Sequence, residues 1–134
     1  MPGVQELLET LLAQGKTAVI VTNSLRTQVE PICKQHPVLQ QIQHVITRED
    51  YALCKPDPQS YQLAIKRYKK EGYAVIGFED SARVVRSLLC IEAVPICICP
   101  NSYSLLTTVQ DPRICHYESF LNIPQTGPES KLPR

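Results

Sequence analysis

Residues 74–81, Ala-Val-Ile-Gly-Phe-Glu-Asp-Ser, constrain the fold more than any other part of the sequence. The stretch begins as a short apolar run, typical of a buried parallel strand, and ends in the adjacent carboxylates of Glu79 and Asp80. Open α/β sheets bind their ligands at the C-terminal ends of their strands, where these carboxylates fall. Two neighbouring acids are costly to keep ionised unless a cation offsets them, and Mg²⁺ prefers oxygen ligands. The stretch therefore predicts a Mg²⁺ site at a strand end, with a solvated acidic turn as the alternative.

Apolar residues elsewhere alternate between helical and strand spacing. Residues 4–14 carry a helical apolar face, and Gly15 follows where such a helix should end. Strands are predicted at 17–21, 44–47, 74–79, 94–99 and 114–117, with helices between the first four of them. Alternation of this kind predicts an α/β fold, a Rossmann-like parallel sheet with helices on both faces and right-handed crossovers.

Length and charge limit the organisation and the partners. A chain of 134 residues predicts one domain, which we place at residues 1–123. Residues 124–134 hold three prolines and a glycine and are expected to form a flexible tail. A net charge of +1 argues against nucleic acid or a membrane surface as the main partner. No segment has membrane-spanning length and no secretory signal is visible, so a cytoplasmic location is expected.

Six cysteines are many for this length, but none has the spacing of a zinc site. Cys97 and Cys99 alternate with isoleucines, so both thiols should lie on one face of a strand. Reduced, buried thiols that pack as small apolar residues are the favoured interpretation. A redox or soft-metal site is the alternative.

Two further stretches place polar groups at strand ends. Thr-Asn-Ser at 22–24 follows a strand and precedes a helix, where hydroxyl, amide and backbone N–H groups can bind an anion. The alternative is an ordinary helix cap by Asn23 or Ser24. Lys-Pro-Asp-Pro at 55–58 predicts an extended Lys55 and a helix that begins near Asp57. Lys55 follows the second strand end and can therefore reach the same sheet edge.

These three motifs, at 22–24, 55–58 and 77–81, resemble in order and spacing those of the haloacid dehalogenase superfamily. The most similar group is that of the β-phosphoglucomutase-like and phosphoglycolate phosphatase-like members, and the resemblance covers roughly residues 2–121. It implies a Mg²⁺-dependent phosphoryl transfer, of phosphatase or phosphomutase type, on a small phosphorylated metabolite.

The resemblance also implies a role for each matching residue. Thr22 corresponds to the hydroxyl that binds the transferring phosphoryl group, helped by the N–H of Asn23. Lys55 corresponds to the lysine that holds nucleophile and phosphate together by charge. Glu79 and Asp80 correspond to the acids that hold Mg²⁺. These roles suit a transition state with charge on its oxygens, which needs fixed donors and cations around it.

One departure from the family pattern is large. Family members attack phosphate with an aspartate of an Asp-x-Asp motif on a first strand, which is central in the sheet, whereas no Asp precedes Asp50 in this sequence. The family's cap domain is missing as well. Strands 17–21 and 74–79 should then either pair directly or leave a gap of about 10 Å, two strand spacings.

Two function classes follow from this departure. The first is an enzyme core that is inactive as this chain alone, with the missing strand lost or supplied by another chain. The second is a non-catalytic remnant, which can still bind Mg²⁺ or phosphate, or an interaction module.

Overall fold

The computed structural model describes residues 1–100 and 111–123, and the predicted tail at 124–134 lies outside them. The helices are α1 (Val4–Ala13), α2 (Arg26–Gln35), α3 (Pro37–Gln40), α4 (Gln59–Tyr68) and α5 (Ala82–Leu88). The strands are β1 (Val19–Val21), β2 (His44–Ile46), β3 (Ile76–Glu79), β4 (Val94–Ile98) and β5 (Cys115–Tyr117), with 3₁₀ turns at Arg48–Asp50 and Phe120–Asn122. Helices and strands alternate along the chain, which confirms the predicted α/β fold. The domain boundary at residue 123 stays a prediction.

All strand pairs are parallel, but they form two sheets. β1 pairs with β2, and β3, β4 and β5 form a second sheet in that order. Within residues 1–100 and 111–123, no backbone pairing joins β1 to β3. Of the two expected arrangements, direct pairing of these strands is therefore wrong, and the sheet is interrupted between them.

β4 is the most buried strand, and its two faces belong to different clusters. Cys97 and Cys99 pack with Tyr61 of α4 and with Val85 and Leu88 of α5. Ile96 and Ile98 point to the opposite face, because side chains alternate along a strand. There they pack with Ile123, and Leu7 of α1 and Phe120 lie against the cluster. Helices therefore cover both faces of the second sheet, as predicted.

The helix ends follow local chemistry, with one correction. α1 is followed by Gly15 at φ +73°, the left-handed conformation that glycine adopts at low cost. α2 is not capped by Asn23 or Ser24, because its N-cap residue is Leu25. The N–H of Leu25 instead donates to the side chain of Gln28, and that of Arg26 to the carboxylate of Glu49. Side chains from outside the turn thus satisfy the helix, which leaves the Thr-Asn-Ser turn free for another role.

α4 begins two residues after the predicted cap. Asp57 Oδ1 accepts a hydrogen bond of 2.9 Å from the N–H of Gln59, the first residue of the helix. The Lys55–Pro56 peptide bond before it is cis. Lys55 itself lies next to the ends of β1 and β3.

Gly77 of β3 provides a test of how tightly α5 packs on the second sheet. A methyl group at Gly77 would overlap the terminal carbons of Leu88. We expect Gly77→Ala to lower the free energy of unfolding by about 1–3 kcal/mol through overpacking, and Leu88→Ala to lower it by about 2–5 kcal/mol. Urea denaturation of the double variant should show less destabilisation than the sum, because the smaller side chain makes room for the methyl group. Additive losses would contradict this packing.

Candidate functional site

The turn after β1 leaves hydrogen-bond donors without acceptors. The N–H of Thr22 donates to Ile46 O at 3.0 Å, so this residue is held against β2. The N–H of Ser24 donates to Thr22 Oγ1 at 3.1 Å, so the Thr22 hydroxyl accepts one bond and keeps its own proton to donate. No residue in the described part of the chain accepts from the backbone N–H of Asn23. A hydroxyl and a free N–H at one strand end suit an anion.

Lys55 joins the ends of the two sheets. Its Nζ lies 2.8 Å from Val21 O, at the end of β1, and 2.6 Å from Glu79 Oε1, at the end of β3. The same ammonium lies 4.8 Å from the centroid of the Tyr61 ring, within the range of a cation–π contact. Only 9% of the Lys55 side chain and 10% of the Glu79 side chain are exposed. The structure thus brings Lys55 to the edge where sequence reasoning expected it.

The buried position of the Glu79 carboxylate changes its pKa. Burial raises its pKa, although the ammonium of Lys55 beside it opposes that rise, and the charge of Asp80 adds to it. Its Oε1 is bonded to Lys55, whereas Oε2 has no hydrogen-bond partner in the described part of the chain. One oxygen of Glu79 is therefore engaged and the other remains available to a further cation.

Asp80 differs from Glu79 in its exposure and in its contacts. It is exposed, and no side-chain hydrogen bond or ion pair joins it to any described residue. Ser81 follows as the N-cap of α5 without a side-chain capping bond, so it leaves Asp80 at the open end of the strand. Within residues 1–100 and 111–123, no three His, Cys, Asp or Glu side chains are grouped to hold a metal ion. The carboxylates fit a hard cation but do not complete its ligand set.

Sequence reasoning missed Tyr51, which touches two of the predicted site residues. Its hydroxyl lies 2.8 Å from Thr22 O and 2.6 Å from Asn23 Oδ1. The backbone N–H of Lys55 donates to the same Asn23 Oδ1 at 3.2 Å. Tyr51 stands in a connecting segment without periodicity, so no pattern in the sequence indicated that it would be buried.

All six cysteines are free thiols. Cys97 Sγ and Cys99 Sγ are 3.6 Å apart on one face of β4, as the alternation predicted. His116 Nε2 lies 3.7 Å from Cys99 Sγ and 2.7 Å from Cys99 O. Burial, with the neighbouring thiol, raises the pKa of Cys97 to about 12, so the thiol stays protonated. The favoured interpretation of buried, apolar-packed thiols holds for Cys97 and Cys99, whereas it is wrong for Cys54 and Cys90, which are exposed.

Comparison with known proteins decides the family. The sequence profile of haloacid dehalogenase-like hydrolases matches residues 1–90. The chain belongs to the haloacid dehalogenase-like hydrolase family. A search of curated proteins found no significant match. No helix within residues 1–100 and 111–123 is long and apolar enough to cross a membrane.

Solved structures share the fold. A protein of Thermotoga maritima assigned as a β-phosphoglucomutase matches at TM-score 0.69 and 20% identity, over 81% of this chain and 51% of its own. A HAD-superfamily hydrolase of Ehrlichia chaffeensis matches at TM-score 0.70 and 21% identity, over 90% and 53%. A hydrolase of Pseudomonas syringae matches at TM-score 0.68 and 23% identity, over 90% and 56%. The chain therefore spans about half the length of these three proteins.

The buried ion pair can be tested by a double-mutant cycle. We expect Lys55→Met and Glu79→Gln each to lower the free energy of unfolding by about 3–5 kcal/mol, because each leaves one buried charge without its partner. The free energy of unfolding of the double variant, measured by urea denaturation, should fall by less than the sum of the two single losses.

The matched control is Lys69→Met. Lys69 Nζ lies 3.2 Å from Glu92 Oε2, but 88% of that Glu side chain is exposed. Its loss should change the free energy of unfolding by about 1 kcal/mol or less. Equal effects of Lys55→Met and Lys69→Met would show that the Lys55 pair does not hold the two sheets.

Proposed function

We propose that the chain is the core of a Mg²⁺-dependent phosphoryl-transfer enzyme, of phosphatase or phosphomutase type, that acts on a small phosphorylated metabolite. The observation that carries this proposal is the position of Lys55, whose ammonium touches the ends of both β1 and β3. Anion donors lie at the first of these ends and carboxylates at the second. Family membership supports the same chemistry.

In this proposal the groups after β1 bind the phosphoryl oxygens. The Thr22 hydroxyl and the N–H of Asn23 are donors without an acceptor among the described residues, and Lys55 adds positive charge beside them. Fixed donors and cations of this kind stabilise the charge that a phosphoryl group carries in the transition state. Their number, rather than any one group, gives the site its selectivity for a phosphate.

The carboxylates after β3 hold the metal. Asp80 is exposed and unengaged, so it would be free to bind the cation, and Glu79 would offer Oε2. Bound Mg²⁺ supplies Lewis-acid stabilisation to the phosphoryl oxygens. Mg²⁺ requires six oxygen ligands in near-octahedral geometry, so two carboxylates leave most positions to water and binding is weak.

The resemblance assigns the nucleophile to an aspartate of a first strand, and these 134 residues have no Asp before Asp50. We therefore propose that this polypeptide alone does not turn over substrate and that a further segment, on another chain or elsewhere, supplies the nucleophile. The resemblance places such a segment between β1 and β3, next to Lys55.

The second candidate is a non-catalytic remnant or interaction module. It is favoured by the engagement of Glu79 with Lys55, which satisfies both charges without a ligand. In that case the interrupted sheet serves to bind an extended segment of another chain, and no phosphate chemistry follows.

Weak metal binding is a test of the first candidate. We expect isothermal titration calorimetry to detect Mg²⁺ binding in the millimolar range, and Asp80→Asn to remove it, because the variant loses the unengaged carboxylate. Glu71→Gln, at an exposed position ahead of the N-terminal end of β3, is the control and should bind as the native chain does. Submicromolar binding by the native chain would mean that further ligands exist, and no binding would favour the remnant.

Catalysis is tested with p-nitrophenyl phosphate and Mg²⁺. We expect the 134-residue chain to hydrolyse it no faster than its Asp80→Asn variant, because covalent catalysis needs a positioned carboxylate nucleophile. Addition or fusion of an extended apolar segment that ends in Asp-x-Asp should produce turnover.

Two controls decide how that turnover arises. The same segment with Asn-x-Asn should give none, and Asp80→Asn should abolish the restored activity. Rapid hydrolysis by the 134-residue chain that Asp80→Asn removes would contradict the inactive-alone proposal and require a different nucleophile.

A further inference from the structure

Tyr51 is a buried tyrosine whose hydroxyl reaches into the anion site. It is 8% exposed, and its Oη lies 2.8 Å from Thr22 O and 2.6 Å from Asn23 Oδ1. Burial raises the pKa of the phenol, which therefore remains protonated and can donate. Its one proton is shared between the two oxygens. Tyr51 thus fixes the side chain of Asn23, which precedes it by 28 positions and lies in the turn after β1.

The hydrogen bonds around Asn23 determine which way its amide points. The backbone N–H of Lys55 lies against the Asn23 side chain at 3.2 Å and can only donate, so the atom that it faces is the amide oxygen. The Tyr51 hydroxyl donates to the same oxygen. With Oδ1 occupied twice, the remaining hydrogen-bonding capacity of Asn23 is the pair of N–H donors on Nδ2. No residue in the described part of the chain accepts from them.

We propose that Tyr51 is a positioning residue that holds the Asn23 side-chain amide with its N–H groups presented to a bound phosphate. The inference rests on the proposed function and extends it to a residue that does not itself touch the phosphate. Tyr51 also ties the turn after β1 to the segment before Lys55, because Asn23 Oδ1 receives bonds from both. The cationic part of the site, at Lys55, and the donor part, in the turn after β1, are thereby held in one geometry before a ligand binds.

Removal of the hydroxyl has a defined consequence. In Tyr51→Phe the ring still fills its buried space, but Asn23 Oδ1 keeps only the longer bond from Lys55. The amide can then rotate about its terminal torsion, whose barrier is low and whose preference is broad. The phosphate meets donors that are no longer fixed, and binding weakens.

The first experiment needs no ligand. Proton–nitrogen NMR of the native 134-residue chain should show the Asn23 side-chain NH₂ as one sharp, dispersed pair of signals. In Tyr51→Phe this pair should broaden or move toward the positions of exposed amides. Tyr68→Phe is the matched control, because the Tyr68 ring stacks on His44, away from Asn23. Unchanged Asn23 signals in Tyr51→Phe would overturn the proposal.

The second experiment measures orthophosphate binding in a fixed excess of Mg²⁺. Tyr51→Phe should weaken binding by about 2- to 10-fold, the range for one hydrogen bond, and Tyr68→Phe should leave it unchanged. Asn23→Asp keeps an oxygen toward Tyr51 and Lys55 but replaces the donors with negative charge, so it should weaken binding further.

The decisive comparison is between Asn23→Ala and the double variant Tyr51→Phe/Asn23→Ala. If Tyr51 acts through Asn23, the double variant binds orthophosphate as weakly as Asn23→Ala alone. Additive losses would overturn the proposal, since they would mean that Tyr51 supports the site by general stability. A native chain that binds no orthophosphate would overturn the proposed function, and the ligand-free spectra would still decide whether Tyr51 fixes Asn23.

Discussion

One ammonium group connects two sheets that share no backbone hydrogen bond within the described residues. Lys55 Nζ bonds a backbone carbonyl of β1 and the side chain at the end of β3. A buried ion pair is not a strong source of net stability, because both charges lose their hydration. Its effect here is geometric, since the ammonium contacts both strand ends at once. Val21 of β1 also packs against the cluster that covers β4, so the anion donors and the carboxylates lie at one edge.

The interrupted sheet also explains the uneven burial. β4 has a neighbour on both sides and is buried along most of its length, whereas β1 and β3 each pair on one side only and are half-buried throughout. Unpaired strand edges present backbone donors and acceptors that an extended segment can satisfy. Lys55 contacts the C-terminal ends of both β1 and β3. A segment between them would gain hydrogen bonds on both sides and bury the half-exposed faces together.

The sequence predicted what depends on local pattern. Apolar periodicity located the helices and strands, and glycine placed the end of α1. The rule that parallel strands end at one edge was enough to bring Lys55 to Glu79, although 24 residues separate them. The sequence could not predict the cap of α2, because the N–H groups of Leu25 and Arg26 donate to Gln28 and to the distant Glu49.

The burial of individual site residues could not be predicted from the same patterns. The two carboxylates at 79 and 80 look equivalent in sequence, yet one is buried against Lys55 and the other is exposed. Tyr51 sits in an irregular segment, where no period links a residue to its environment. Such residues are positioned by tertiary contacts that only coordinates reveal.

The charges at the strand ends explain why metal and phosphate should bind together. Lys55 carries one positive charge, and Glu79 and Asp80 carry two negative charges when ionised, so the three groups together repel an anion. The ammonium is also occupied by Glu79 at 2.6 Å, which weakens its attraction for a phosphate. In the proposed function, a divalent cation bound by Asp80 and the free Oε2 of Glu79 would reverse the sign of the summed charge. The site would then attract the phosphoryl oxygens, so each ligand would raise the affinity for the other by the same factor.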